Sequence, residues 1–133
     1  DGKPRIVTGD LQTIMAGLAC GEPNTISWDI LRNHVSAFIS CPDWVSAKGM
    51  RMLGVPVKGD PTVISGESGA VGMGCLDAIM CDDTYKELRD ALELNRFSQV
   101  LMFSTEGNTD PLKFRRVIWD GEYPTTETPQ KPY

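Results

Sequence analysis

The chain has a single histidine, His34, no Cys-x-x-Cys pair, no long apolar run and no basic cluster longer than Arg115-Arg116. Each absence removes a class of function. Four cysteines, Cys20, Cys41, Cys75 and Cys81, with one histidine to join them do not make a zinc site, which takes thiolates and imidazoles at short paired spacings. No apolar run approaches the roughly 20 residues that cross a bilayer, and the amino end lacks a signal-peptide pattern. A formal net charge of −5 without a basic stripe argues against nucleic acid as a partner. Neither membrane nor nucleic acid is therefore expected.

What is present is an ordinary globular composition, 41% hydrophobic and 23% charged over 133 residues, enough for one core and not comfortably for two. The cysteines are expected as reduced, mostly buried thiols of a cytoplasmic protein, with a Cys20–Cys41 bridge left open. The sequence opens at Asp1 and reaches strand-like Arg5-Ile6-Val7 almost at once, which reads as the inside of a larger protein. Residues 122–133, rich in Pro and Thr from Pro124 onward, read as a solvated, flexible tail.

Along the chain, turn signals separate alternating strand and helix patterns. Pro4 to Thr8 predicts a strand, and Leu11 to Ala19 a loop with one helical turn, interrupted by Gly17 and closed by Gly21-Glu22-Pro23-Asn24. Ser27 is a candidate cap for a short helix over Trp28–Arg32, and Val35–Ser40 alternates apolar with small polar residues as a strand does. Pro42-Asp43 starts a helix that ends at Gly54. After a loop, Thr62-Val63-Ile64 reads as a strand, and Ser65 or Ser68 can cap a helix running to Met80. That helix is apolar nearly all round and should be buried. Its four glycines in nine residues each cost roughly 1 kcal/mol relative to alanine, so backbone there must approach something closely, a neighbouring element or a ligand. Asp82-Asp83 caps a helix over Tyr85–Leu94, and a last helix covers Leu112–Trp119. The alternation predicts an α/β class, a mainly parallel sheet flanked by helices.

Val100-Leu101-Met102-Phe103 is the stretch around which the rest arranges itself, an apolar strand predicted to be buried on both faces. Directly after it come Ser104-Thr105-Glu106-Gly107-Asn108-Thr109-Asp110. In open α/β sheets the ligand crevice lies beyond the carboxyl ends of the strands, which places Ser104 and Thr105 where polar groups meet a ligand. The same residues also suit a plain strand-to-helix turn, with Thr109 or Asp110 capping a helix opened by Pro111. The glycine-rich Ser65–Gly74 stretch matches neither G-x-G-x-x-G nor a P-loop and is read mainly as close packing, with a generic anion-accepting helix start as the weaker reading. His34 has no carboxylate beside it and is read as structural, and Trp28, Trp44 and Trp119 are too scattered for a stacking platform. Lys3, Lys48, Lys58, Lys86, Lys113 and Lys131 all fall in loops, tails or wet helix faces. A Schiff-base lysine needs a desolvated pocket, and none of these is placed in one.

Three stretches, Thr13–Asn24, Ile64–Gly72 and Ser104–Asp110, together resemble the carboxyl-terminal part of the diaminopropionate ammonia-lyase family. More broadly they resemble the pyridoxal-phosphate (PLP) enzymes of the tryptophan synthase β-chain fold, fold type II. The likeness runs from about residue 4 to about residue 121. It implies that residues 1–121 form the carboxyl-terminal part of a PLP-binding α/β domain, with PLP as cofactor. It implies that Ser104 hydrogen-bonds the pyridine nitrogen, with Thr105 and Gly107 shaping that wall and Gly17 in a loop near the cofactor. Ser68-Gly69-Ala70 matches the family's Ser-Gly-Ala, but Gly66-Glu67 stands where Glu-Pro is usual, so the glutamate's role does not transfer to Glu67. The Schiff-base lysine belongs to an earlier part of such enzymes, so no catalytic residue is expected in this chain. The expected partners are that amino-terminal part, a small amino-acid substrate and a second copy in a homodimer. Two other readings stay open: a serine or threonine dehydratase of the same fold, and a non-catalytic α/β domain that binds a small molecule.

Overall fold

The computed structural model describes residues 5–125. Among them lie helices α1 (Thr25–His34), α2 (Asp43–Gly54), α3 (Glu67–Cys81), α4 (Lys86–Ala91) and α5 (Pro111–Ile118), with single 3-10 turns at Ala16–Leu18 and Asp83–Tyr85. No helix among the described residues is long and apolar enough to cross a membrane.

Helix starts follow local chemistry. The Asn24 side chain accepts the Ser27 N–H at 2.9 Å and caps α1, so the cap is Asn24 and Ser27 is the capped residue. Asp110 accepts the Lys113 N–H at 2.9 Å, and Pro111 opens α5 with the one residue type that has no amide proton to satisfy. Asp43 turns its carboxylate away from its own helix to take Thr13 Oγ1 at 2.5 Å and the Ile14 N–H at 3.2 Å, fixing the Thr13–Leu18 loop against α2. α3 has no cap from Ser65 or Ser68; its first residue follows Gly66, and the bond expected from a local side chain comes from a distant one. The helix expected over Tyr85–Leu94 is shorter, because Glu93 takes the left-handed conformation at φ 56° and ends it.

The core sits where α2, α3 and α5 meet. Ala47, Met50, Ala70 and Val117 are buried there, with Ile14, Leu53, Phe114 and Ile118 packed around them. The glycines of α2 and α3 make the close approach. Gly49 rests against the backbone of Ala70 and Gly74, and Gly74 against the Val45 carbonyl, so that a Cβ at either position would overlap main chain. Ser46 Oγ donates to the Glu67 carbonyl at 2.5 Å, and Lys48 pairs with Asp77 across the same interface. Close packing is therefore what these glycines serve. The burial expected of α3 is met only on this side: Ala70, Gly74 and Ile79 are buried, the rest half-buried or exposed.

The sheet is where structure and expectation part. Among the described residues there is no strand. The segments expected as strands, 5–8, 35–40, 62–64 and 100–103, run without a ladder, the second of them bent at Ser36. Their main chain makes isolated bonds such as Val7 N–H to Gly21 O and Val63 N–H to Leu53 O, both 2.9 Å. The physical reason is that a strand exists only through a neighbour. Apolar runs and alternation report what a segment could bury, not whether a partner is there. Instead of being buried on both faces, Leu101 and Phe103 are 79% and 76% exposed. Among the described residues, twenty-one large apolar side chains are exposed against seven buried hydrophobic ones. The chain exposes 10254 Å², where a compact monomer of this mass exposes about 6,900 Å².

All four cysteines are free, and contrary to expectation none is buried: Cys20 and Cys81 are exposed, Cys41 and Cys75 half-buried. Burial, followed by the neighbouring Cys75 thiol, pushes the Cys41 thiol up to about 11. At pH 8, iodoacetamide should therefore alkylate Cys20 several-fold faster than Cys41, as read by peptide mass spectrometry over time. Equal rates would show Cys41 to be open and ionisable.

The Pro- and Thr-rich tail lies for its greater part, residues 126–133, outside the described residues, as does Pro4.

Candidate functional site

The start of α3 is a crossing point for three segments that are distant in sequence. The first is the end of the extended Val100–Phe103 run. Its next residue, Ser104, is exposed, and its Oγ lies 2.8 Å from the buried Ser65 Oγ and 3.2 Å from the Glu106 carbonyl oxygen. A hydroxyl has one proton, so Ser104 donates to one acceptor at a time, either of these two or a third brought to it, and accepts through its lone pairs. The second segment is the turn into α3. Gly69 stands where the hydroxyls converge; a Cβ there would come within 2.7 Å of Ser65 Oγ, 3.2 Å of Ser104 Oγ and 3.4 Å of the Thr105 nitrogen. The third is the Thr13–Leu18 loop held by Asp43. A Cβ on Gly17 would lie 3.1 Å from Ser68 Oγ, which is buried and makes no hydrogen bond.

Ser104, the Thr105 backbone and Gly17 are thus brought to one end of α3, which their sequence positions do not reveal. Gly107 is not drawn in: a Cβ there would meet nothing within 4 Å, and its carbonyl closes a tight turn with the Thr109 N–H at 2.9 Å. Two participants were missed in the sequence, Ser65 and Glu106. The Glu106 carboxylate accepts the Ser68 N–H at 2.7 Å, filling the helix start with the protein's own anion. The anion-accepting reading of this glycine-rich stretch is thereby set aside. No sequence signal marks the pairing, because a bond between residues 38 apart leaves no periodicity.

From Ser104 and Gly69 an apolar trough of about 350 Å³ runs between α3 and the two extended segments, walled by Leu53, Val63, Met73, Leu76, Val100 and Met102. Among the described residues, three lysines are engaged elsewhere: Lys48 with Asp77, Lys86 with Asp90, Lys113 with Glu122 and the Tyr123 hydroxyl. Among the described residues no three His, Cys, Asp or Glu side chains converge as metal ligands would. The donor set is one of neutral hydroxyls beside an open apolar surface. It suits a flat heteroaromatic ring whose nitrogen seeks one uncharged hydrogen-bond partner, and Ser68 Oγ is an additional polar atom without a partner.

No family model matches the sequence. Against known proteins the likeness is extensive. Diaminopropionate ammonia-lyase of Escherichia coli strain K12 is 54% identical over 117 residues, which is 88% of this chain and 29% of that enzyme. The enzyme of the same name from Salmonella typhimurium strain LT2 is 51% identical over 122 residues, 91% of this chain and 30% of the relative. The crystal structure of the Escherichia coli enzyme in complex with an aminoacrylate-PLP azomethine reaction intermediate matches with a TM-score of 0.79 at 54% identity, over 84% of this chain and 29% of that one. The D-serine complex of the same enzyme matches with a TM-score of 0.77 at 52% identity, over 81% and 28%. The resemblance read from three stretches of sequence is borne out across most of the chain. The chain spans less than a third of the length of these relatives.

Proposed function

We propose that this chain is the carboxyl-terminal part of a PLP-dependent ammonia-lyase that converts 2,3-diaminopropionate to pyruvate and ammonia by α,β-elimination. One observation carries the reading beyond sequence likeness: the three stretches that hold the likeness, far apart in the chain, converge through Gly17, Ser68 and Ser104 at one end of α3. PLP, when bound, supplies the electron sink that acidifies the substrate's α-proton and lets the β-amino group depart.

The work of this chain is to bind and orient. Ser104 offers the ring nitrogen a neutral hydroxyl in place of a carboxylate. A carboxylate would hold a proton on that nitrogen and deepen the electron sink; a hydroxyl leaves the ring less electron-withdrawing. Elimination tolerates the weaker sink, because the departing β-group drains the negative charge as it forms. Thr105 forms the wall beside Ser104, with Gly107 standing off in its own tight turn, and Gly17 lets its loop lie close to Ser68. The Schiff-base lysine, the phosphate-holding loop and the acid and base come from the amino-terminal part.

That part is also the partner the surface asks for. The exposed side chains of Val63, Ile64, Val100, Leu101 and Phe103 supply apolar surface, the material of a mainly parallel sheet completed by strands from elsewhere in the enzyme. Residues 1–121 then belong to one PLP-binding α/β domain with 122–133 as its tail, in a cytoplasmic homodimer acting on a small amino acid.

The test uses the whole enzyme carrying this segment. Replacing Ser104 by Asp should shift the absorption of the bound cofactor and slow elimination at least about tenfold, near 1.4 kcal/mol of barrier. Unchanged kinetics would remove Ser104 from the role. A panel of diaminopropionate, serine and threonine separates the ammonia-lyase from a dehydratase by which leaving group gives the higher kcat/KM. A native protein that is colourless, monomeric and of this mass alone would favour a small-molecule-binding domain.

A further inference from the structure

Ser104 cannot hold its own position. It is exposed, follows an extended segment without a ladder, and precedes a loop that runs to the cap of α5. What holds it is visible in the bonds around the residue two places on. Glu106 is tied to the start of α3 twice over: its carbonyl accepts the Gly66 N–H at 3.1 Å, and its carboxylate accepts the Ser68 N–H at 2.7 Å. The side chain lies flat across Gly66, where a Cβ would come within 2.7 Å of Glu106 Cγ and Cδ. The same Glu106 carbonyl is one of the two acceptors in reach of the Ser104 hydroxyl, at 3.2 Å, and the other, Ser65 Oγ, immediately precedes Gly66. Both acceptors therefore belong to the unit that Glu106 holds together.

The chemistry suits a strut. A carboxylate at the amino end of a 15-residue helix is stabilised by the helix dipole and by a charge-assisted bond to a free peptide N–H. It also replaces the side-chain cap that Gly66 does not provide. Glutamate has the length to reach Ser68 from beyond the Val100–Phe103 segment; aspartate is one methylene short.

We propose that Glu106 is the positioning residue for Ser104, fixing the direction in which the Ser104 hydroxyl meets the cofactor ring by clamping the Ser104–Glu106 loop to the start of α3. This rests on the reading of Ser104 as partner of the ring nitrogen. Glu106 touches no reacting atom. It acts through Ser104, and its loss should show as a loss of what Ser104 does.

The experiment is a double-mutant cycle in the full-length enzyme, read by the dissociation constant of pyridoxal 5′-phosphate added back to apoenzyme and by the absorption spectrum of the refilled protein. Glu106→Ala is expected to weaken cofactor retention about tenfold and to alter the band in the same direction as Ser104→Ala. Glu106→Gln, whose amide oxygen still accepts the Ser68 N–H, should restore retention to within about twofold, whereas Glu106→Asp should not. In the double variant the two losses should not add, because removing the clamp already removes the hydroxyl's contribution. Additive losses, or a Glu106→Ala effect confined to thermal stability while retention and spectrum stay those of the parent, would overturn the proposal and leave Glu106 as a helix cap. If Ser104→Ala itself leaves retention and spectrum unchanged, the ring-nitrogen reading falls first and the proposal with it. Should Glu106→Ala fail to fold, the contrast between Gln and Asp decides the matter in the same two readouts.

Discussion

Gly74→Ala is expected to lower the thermal midpoint of the protein by about 10 °C, the shift that roughly 3 kcal/mol produces in a domain of this size. A single methyl is enough because of what it would strike. The new Cβ would overlap the Val45 carbonyl and approach the Gly49 nitrogen at 3.1 Å, both of them main chain in α2. A flexible side chain can rotate away from an intruding methyl, but a helix backbone moves only as a body. Such movement would part Ser46 from the Glu67 carbonyl, separate Lys48 from Asp77 and open the Ala47–Ala70 contact at the centre of the core. Gly72→Ala is the control. Its Cβ would meet only the Met102 side chain, Sδ at 3.7 Å and Cγ at 4.0 Å, ordinary contacts, so the gain in helix propensity of about 1 kcal/mol should appear as an unchanged or raised midpoint. Equal midpoints for the two variants, read by calorimetry, would mean that α2 and α3 do not approach this closely.

The second large effect is expected at Arg51. Its guanidinium reaches across to the end of α5, donating from Nε to the Val117 carbonyl at 3.1 Å, from Nη2 to Glu122 O at 2.5 Å and from Nη1 to Tyr123 O at 3.3 Å. Burial lowers the pKa of the group, the mark of a charge drawn out of water and repaid by carbonyl oxygens. Arg51→Met keeps most of the volume and strands those carbonyls, at a cost of about 2–4 kcal/mol. Arg51→Lys should recover less than half of this, because one ammonium cannot serve acceptors that a planar fork spans. Urea midpoints of the three proteins check the order. If the lysine variant matched the parent, the fork geometry would carry no stability.

How much of this was legible in the sequence differs by kind of contact. Helices were legible because their signals are local: Asp110-Pro111 starts α5 where expected, Pro42-Asp43 starts α2, and the glycines of α3 were read as a sign of close approach, which Gly49 and Gly74 make with the facing backbone. Caps were less so, since Asn24 and not Ser27 serves α1, and a distant carboxylate serves α3. Strands were legible only as apolar or alternating segments, and the Val100–Phe103 run stands exposed because the sequence of one segment says nothing about its neighbour. Of the residues that meet at the start of α3, Ser104 is named from its place after an apolar run and from the resemblance, and Gly17 from the resemblance alone, while Ser65 enters only as a cap candidate and Glu106 has no role assigned. Their part is set by contacts 38 and 39 residues apart, visible only once the chain is folded.

The filled start of α3 bears on how the proposed enzyme would divide its labour. A helix amino end is the usual seat for a phosphate, and here Glu106 already sits in it. On the proposed reading, a ring that comes to Ser104 is sorted on this side by its shape and by one neutral hydrogen bond. The same reading assigns the salt-sensitive share of the affinity to another surface, so that changes of ionic strength should be felt there and not at α3.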